Sequence, residues 1–147
     1  MQIEVTAIDL TTEKLVGAAG QRSFIAQVRG ERFSGTCRFV PFQEDPSSCV
    51  GNAASVVLSQ ESVTDFRITD NERISITALR EFSAYRICGV VASVAVAQSN
   101  GGQTLINVSV GDAYFYLTDT DTGGVSVAVG THVEFVAHEV CLWDEAL

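Results

Sequence analysis

Two constellations in this chain bring together residue types that do chemistry at suggestive spacings. Asp119-Thr120-Asp121-Thr122-Gly123 begins like a calcium loop, with oxygen donors at alternate positions. Such a loop needs oxygen ligands at its fifth position and a bidentate glutamate at its twelfth. Gly123 and Gly130 stand there instead, so two ligands are missing and the segment is expected to be a hairpin turn. His132, Glu134 and His138 share one face of an extended segment. At ~3.3 Å per residue the two histidines lie ~20 Å apart, so one strand cannot close a three-ligand metal site.

Nucleophilic chemistry finds no motif. The G-x-S-x-G elbow is absent, as are the Walker and Rossmann glycine patterns. Cys37, Cys49, Cys88 and Cys141 contain no C-x-x-C pair, whereas metal sites usually bring two ligands close in sequence. Each sits in an apolar, strand-like context, so buried free thiols are expected. A spatial Cys–His pair, for example one using Cys88 or His138, would be a route to hydrolysis that spacing cannot reveal. No metal, cofactor or catalytic residue is assigned.

Charge narrows the partners. The net charge is −9, and all nine Lys and Arg lie in residues 1–86, against eleven acids. Residues 87–147 carry seven acids (Asp112, Asp119, Asp121, Glu134, Glu139, Asp144, Glu145) and no Lys or Arg. An acidic half repels phosphate backbones, which disfavours nucleic acid, and attracts basic protein surfaces. Tyr and Trp anchor protein interfaces. The expected partner-binding set is therefore Asp112, Tyr114, Tyr116, Asp119, Asp121, Glu134, His138, Asp144 and Glu145, with Trp143 as a further aromatic. Packing of Phe115 and Trp143 in the core, with the tyrosines flanking them, is an equal expectation. His138 beside Glu139 could make association depend on pH.

The elements that would position these residues read as strands. Valine is abundant and proline and lysine are scarce, which favours β structure. Expected strands are 2–9, 23–30, 32–42, 52–60, 64–69, 73–79, 85–97, 104–110, 114–118, 125–129 and 132–143. The last, with Val133, Phe135, Ala137, Cys141 and Trp143 on one face, is long enough to bend or to serve two sheets. Residues 10–20 are expected to be loop, and a turn at Asp70-Asn71 separates two short strands. Gly89 is expected to mark a bulge, and Ser99–Gly102 a hairpin turn. Val108–Phe115 (VSVGDAYF) echoes Val127–Phe135 (VAVGTHVEF), which two similar hairpins would explain without a duplication.

The fold class is therefore all-β: a small antiparallel barrel or sandwich, or two fused small barrels sharing the Tyr85–Ala97 strand. One domain over 1–147 is expected, divisible into a barrel (1–95) and an acidic meander (96–147). Open strand edges would permit homo-oligomers. The first residues lack a basic region followed by an apolar run, and no stretch reaches the ~18–20 apolar residues of a membrane span, so a cytoplasmic location is expected.

Residues 32–91 resemble the third β-barrel of elongation factor Tu and its relatives. The likeness is carried by FSGTCRFVPF, VGNAASVVL and ISITALREFSAYRICGVV, with Arg80-Glu81 and Gly89-Val90-Val91. It implies a barrel used for protein or RNA contact, and without a GTP-binding domain it carries no translation-factor activity. The function expected from these readings is a non-enzymatic acidic module that docks a basic protein, in the manner of bacterial immunity or antitoxin proteins. The alternative is an RNA- or ribosome-associated barrel that uses its arginine-bearing half.

Overall fold

The computed structural model describes residues 1–96 and 102–146. It is all-β: the described residues form eleven strands and a turn of 3-10 helix at Pro46–Cys49. The strands are β1 (Gln2–Val16), β2 (Gln21–Gly30), β3 (Ser34–Val40), β4 (Ala53–Ser59), β5 (Ser62–Ile68), β6 (Ser75–Ala78), β7 (Tyr85–Val96), β8 (Thr104–Val110), β9 (Ala113–Thr118), β10 (His132–His138) and β11 (Cys141–Asp144). Five of them close a barrel in the order β1-β2-β3-β11-β4, with β4 returning to β1. β3 and β11 run parallel and every other pair is antiparallel. This is the strand order of the five-stranded Greek-key OB barrel, with β11 in the place of the fifth strand. The remaining strands form a sheet in the order β5-β10-β7-β8-β9, with β6 against β7.

The second sheet repeats the barrel. Its order β5-β10-β7-β8-β9 matches β11-β4-β1-β2-β3 strand for strand. β10 follows β4 at a spacing of 79 residues along its whole length, Ala53 to His132 and Ser59 to His138. The β1–β2 ladder breaks between Val5 and Ala7, and the β7–β8 ladder breaks between Val91 and Ser93. At the first break Gly51 N–H donates to Val5 C=O (2.8 Å) and Val5 N–H to Asn52 C=O (3.2 Å). At the second, Gly130 N–H donates to Val91 C=O (2.8 Å) and Val91 N–H to Thr131 C=O (2.9 Å). Gly51 and Gly130 both hold positive φ, 83° and 90°, a conformation glycine adopts without strain. The chain thus repeats one five-strand order in two units, with β6 added to the second. The echo read between Val108–Phe115 and Val127–Phe135 joins segments that do not correspond in this repeat.

The units exchange their fifth strands. β5, which follows β4, pairs with β10 of the second unit; β11, which follows β10, pairs with β4 of the first. Two residues make each crossing, Gln60-Glu61 and Glu139-Val140. Cys141 pairs with Ser59 on one side of the crossing and His138 with Ser62 on the other, so residues 56–64 and 136–144 share one register across it, and the antiparallel ribbon runs on to Ile68 and Val133 after a one-residue shift between Glu134 and Val136. Glu61 N–H donates to His138 C=O across the gap (3.0 Å). The expectation that 132–143 serves two sheets holds. The shared element is this ribbon, however, and not Tyr85–Ala97, whose described part lies wholly in the second sheet. A division at residues 95–96 does not separate the sheets either, since β5 and β11 each lie in the other unit.

Other expectations change for local reasons. Residues 10–16 continue β1, because side-chain hydroxyls patch the ladder across its irregular stretch between Asp9 and Lys14. Thr12 Oγ1 accepts from Ile25 N–H (2.8 Å) and Ser23 Oγ donates to Lys14 C=O (2.6 Å). Residues 125–129 form no strand, since β10 is already bordered by β5 and β7. Val125 and Val129 are exposed there, and only Val127 packs on the core. β5 and β6 do not pair with each other; they pair with β10 and β7. Gly89 marks close packing and no bulge: a Cβ there would stand 2.7 Å from both Ser109 O and Val108 Cγ1. The β7–β8 ladder brackets the expected Ser99–Gly102 turn, whose residues 99–101 lie outside the described residues.

One apolar core runs through both units, from Val5, Val28 and Phe39 to Ile87, Phe115, Leu117 and Phe135. Phe135 meets Phe115 edge-on at 5.8 Å and stacks on Phe66 of the exchanged strand at 6.4 Å. Because each unit lends the other a strand, they should unfold together. Phe135→Ala in the second unit should cost about 3–5 kcal/mol. Trp143 fluorescence, which reports the first unit, should shift its denaturation midpoint as far as far-UV circular dichroism does; two separate transitions would contradict the exchange.

Candidate interaction cleft

The predicted partner-binding residues divide into two groups. Asp112, Tyr114, Tyr116 and Glu145 come together with Met1 and Val56–Leu58 around a cleft of about 120 Å³ between β9 and β4. β9 places them by alternation: Ala113, Phe115 and Leu117 are buried, which turns Tyr114 (45% exposed) and Tyr116 (61%) outward. Val57 is 49% exposed on the facing strand. The cleft is bounded by fixed backbone. Gln60 Nε2 donates to Tyr116 C=O (2.7 Å), the Met1 ammonium donates to Val56 C=O (3.0 Å), and Ser55 Oγ donates to the Glu145 carboxylate. Val57 and Met1 carried no signal in the sequence, because only the fold lays β4 beside β9.

The second group serves the structure. Asp119 Oδ1 accepts from Thr104 N–H (2.8 Å), and Asp121 Oδ2 accepts from Thr118 N–H (2.9 Å) and from Thr118 Oγ1 (3.3 Å). The two carboxylates therefore finish the ends of β8 and β9. No group of three or more metal-ligating side chains occurs among the described residues. Asp144 Oδ1 accepts from Ala146 N–H (3.0 Å). His138 Nε2 bonds Thr64 Oγ1 (2.7 Å), and its Nδ1 lies 3.9 Å from Glu81 Oε2. Trp143 stands apart from the tyrosines. Its ring packs over Gly17 and its Nε1 donates to Ser59 Oγ (2.7 Å), fastening the β1–β2 turn to the ribbon.

Glu134 departs furthest from the sequence reading. It is only 8% exposed, and its Oε1 accepts from Arg86 Nη1 and its Oε2 from Arg67 Nη2, each at 3.0 Å. Arginines from β5 and β7 thus neutralise it from both neighbouring strands. Arg67, followed by Arg86, holds its carboxyl below the usual carboxylate range against the opposing effect of burial. The acidic half and the basic half of the sequence interleave in space here. The four cysteines are buried and unpaired, and burial pushes the Cys37 and Cys141 thiols up to about 12.

No family model, curated protein or solved structure matches the chain, so its similarity to known proteins assigns neither family nor activity. Fold and side chains define an all-β tandem with one tyrosine- and acid-lined cleft. Residues 32–91 contribute strands to both units.

Two outcomes are expected. A carboxylate with a depressed folded pKa stabilises above its unfolded value, and that contribution is lost as pH falls through the folded value. Acidification below the ordinary carboxylate range should therefore lower the melting temperature of the wild type more steeply than that of Glu134→Gln. At neutral pH the variant should be less stable by about 1–2 kcal/mol, the loss of charged hydrogen bonds to exposed arginines. Removing the Asp121 carboxylate (Asp121→Ala) should cost about 1 kcal/mol in chemical denaturation, as loss of a capping side chain does.

Proposed function

We propose that this protein is a non-enzymatic binding module that docks a basic protein through the β4–β9 cleft. The observation that carries the reading is the convergence of two outward tyrosines and exposed Val57 with Asp112 and Glu145 on one rigid surface. Tyrosines offer large contact area at small entropic cost, and the carboxylates would steer a cationic partner and fix its register. Proteins of the immunity or antitoxin kind work in this way, which makes a basic enzyme a fitting partner. A cytoplasmic location suits such a role. No helix is long and apolar enough to cross a membrane among the described residues.

An RNA-contacting barrel is the weaker reading. OB-type barrels serve many functions, so the fold alone does not choose. Arg22 is paired with Glu13, Arg29 with Glu4, and Arg67 and Arg86 with Glu134, which leaves fewer cations for phosphates. Homo-oligomers through open strand edges are a further proposal compatible with either reading.

The test compares wild type, Tyr114→Ser/Tyr116→Ser and Asp112→Lys as bait in lysate of the source cell, eluted with rising salt. A basic protein held stoichiometrically by wild type, released at moderate salt and lost from both variants is the expected result. RNA or ribosomal proteins retained equally by all three would replace this reading with the barrel–RNA one. Retention of nothing but the protein itself would refute both.

A further inference from the structure

A second cleft, of about 270 Å³, shares no lining residue with the first. It lies where the exchanged strands cross, bounded by Lys14, Arg38, Glu61, Glu139, Trp143 and the backbone of Gly17. We infer that it binds a small zwitterion of the α-amino-acid type, its carboxylate taken by Arg38 and Lys14 and its ammonium by Glu61 and Glu139, beside the Trp143 ring.

Arg38 carries the argument. It is half-buried on β3, and its Nη1 donates only to neutral oxygens, Ser23 Oγ (3.1 Å) and Thr12 C=O (3.3 Å). Among the described residues Arg22, Arg29, Arg67 and Arg86 have a carboxylate within 4 Å, whereas Lys14, Arg32, Arg38, Arg73 and Arg80 do not, and of these five Arg38 alone is withdrawn from full exposure. A guanidinium withdrawn from water and lacking a counter-ion is poised for a carboxylate, which it can bind through two parallel hydrogen bonds. Two exposed glutamates, Glu61 and Glu139, line the same cleft. A plain anion would meet their repulsion, whereas a molecule with both charges satisfies the cations and the carboxylates together.

The tandem supplies an internal control. At the spacings that superpose the ladders, Arg38 corresponds to Thr118 and Trp143 to Thr64. The second unit makes the same strand crossing without the guanidinium or the indole, so the repeat does not require them. Glu139 holds φ at 52°, while its counterpart Gln60 makes the equivalent crossing without a positive φ. A non-glycine residue held there stores strain, and such strain gathers at binding sites. It also places Glu139 in the wall of the cleft.

Trp143 is the only tryptophan, so intrinsic fluorescence reports this cleft directly. The full chain would be titrated to millimolar concentration with free L-leucine, L-glutamine and L-lysine. N-acetyl-leucine, which lacks the ammonium, and leucine amide, which lacks the carboxylate, are the controls. The expected result is a saturable change in Trp143 emission with at least one free amino acid and none with its blocked analogues. Arg38→Gln and Glu139→Gln should each weaken binding by about tenfold or more, as loss of a charged hydrogen bond does. Circular dichroism would show that both variants remain folded. No saturable change with any free amino acid would overturn the inference, as would N-acetyl-leucine binding as tightly as leucine. Because the tyrosine cleft is untouched by these variants, their capture of a basic protein should be unchanged.

Discussion

Everything in this molecule depends on the antiparallel ribbon in which residues 56–68 run against 132–144. It is the one element that belongs to both sheets. Its upper half supplies β4 and β11 to the barrel, and its lower half supplies β5 and β10 to the second sheet. Main-chain hydrogen bonds hold one register across both crossings, with a one-residue shift only between Glu134 and Val136, and a further slip of one residue would turn Val133 and Phe135 out of the core. Trp143 braces one end by packing on Gly17. Arg67, Glu134 and Arg86 tie the other across three strands. Burying one carboxylate under two exposed guanidinia avoids an uncompensated buried charge while still fixing which strands lie side by side.

Much of the fold was legible because strand alternation is a local signal. β2, β4, β7, β8 and β9 stand where alternating or β-branched runs placed them, and the last segment does serve two sheets. The failures share a cause. Residues 10–16 looked like a loop because they are polar, yet their hydroxyls complete a ladder that sequence cannot display. Val125, Val127 and Val129 looked like a strand because they alternate, yet no strand edge was left for them to pair with. The repeat of strand order was hidden because the two units share backbone geometry more than side chains: Phe24 corresponds to Thr104, and Arg38 to Thr118. What persists, such as the positive φ at Gly51 and Gly130, is invisible until the ladders are aligned.

The candidate residues followed the same rule. Asp112, Tyr114 and Tyr116 come together because they are near in sequence on one hairpin, and Glu145 joins them only through the return of the chain along β4. Asp119 and Asp121 share their acidity but lie at a turn, where main-chain N–H groups claim their oxygens. Net charge by segment misled most at Glu134. Its counter-charges, Arg67 and Arg86, come from the half of the chain that carries all the Lys and Arg, so the asymmetry along the sequence is partly cancelled in space.

The exchange of fifth strands also constrains how the molecule can be born. Synthesis proceeds from the N-terminal side, so β1 to β4 leave the ribosome long before β11. Until residues 141–144 have emerged, the barrel has a vacant lane between β3 and β4, and its apolar interior stays open along that side. β5 meanwhile waits for β10. Neither unit can be completed before β10 and β11 have emerged, and both close at nearly the same moment, when those two strands are threaded home. A tandem built without the exchange could mature one unit at a time; this one matures all at once.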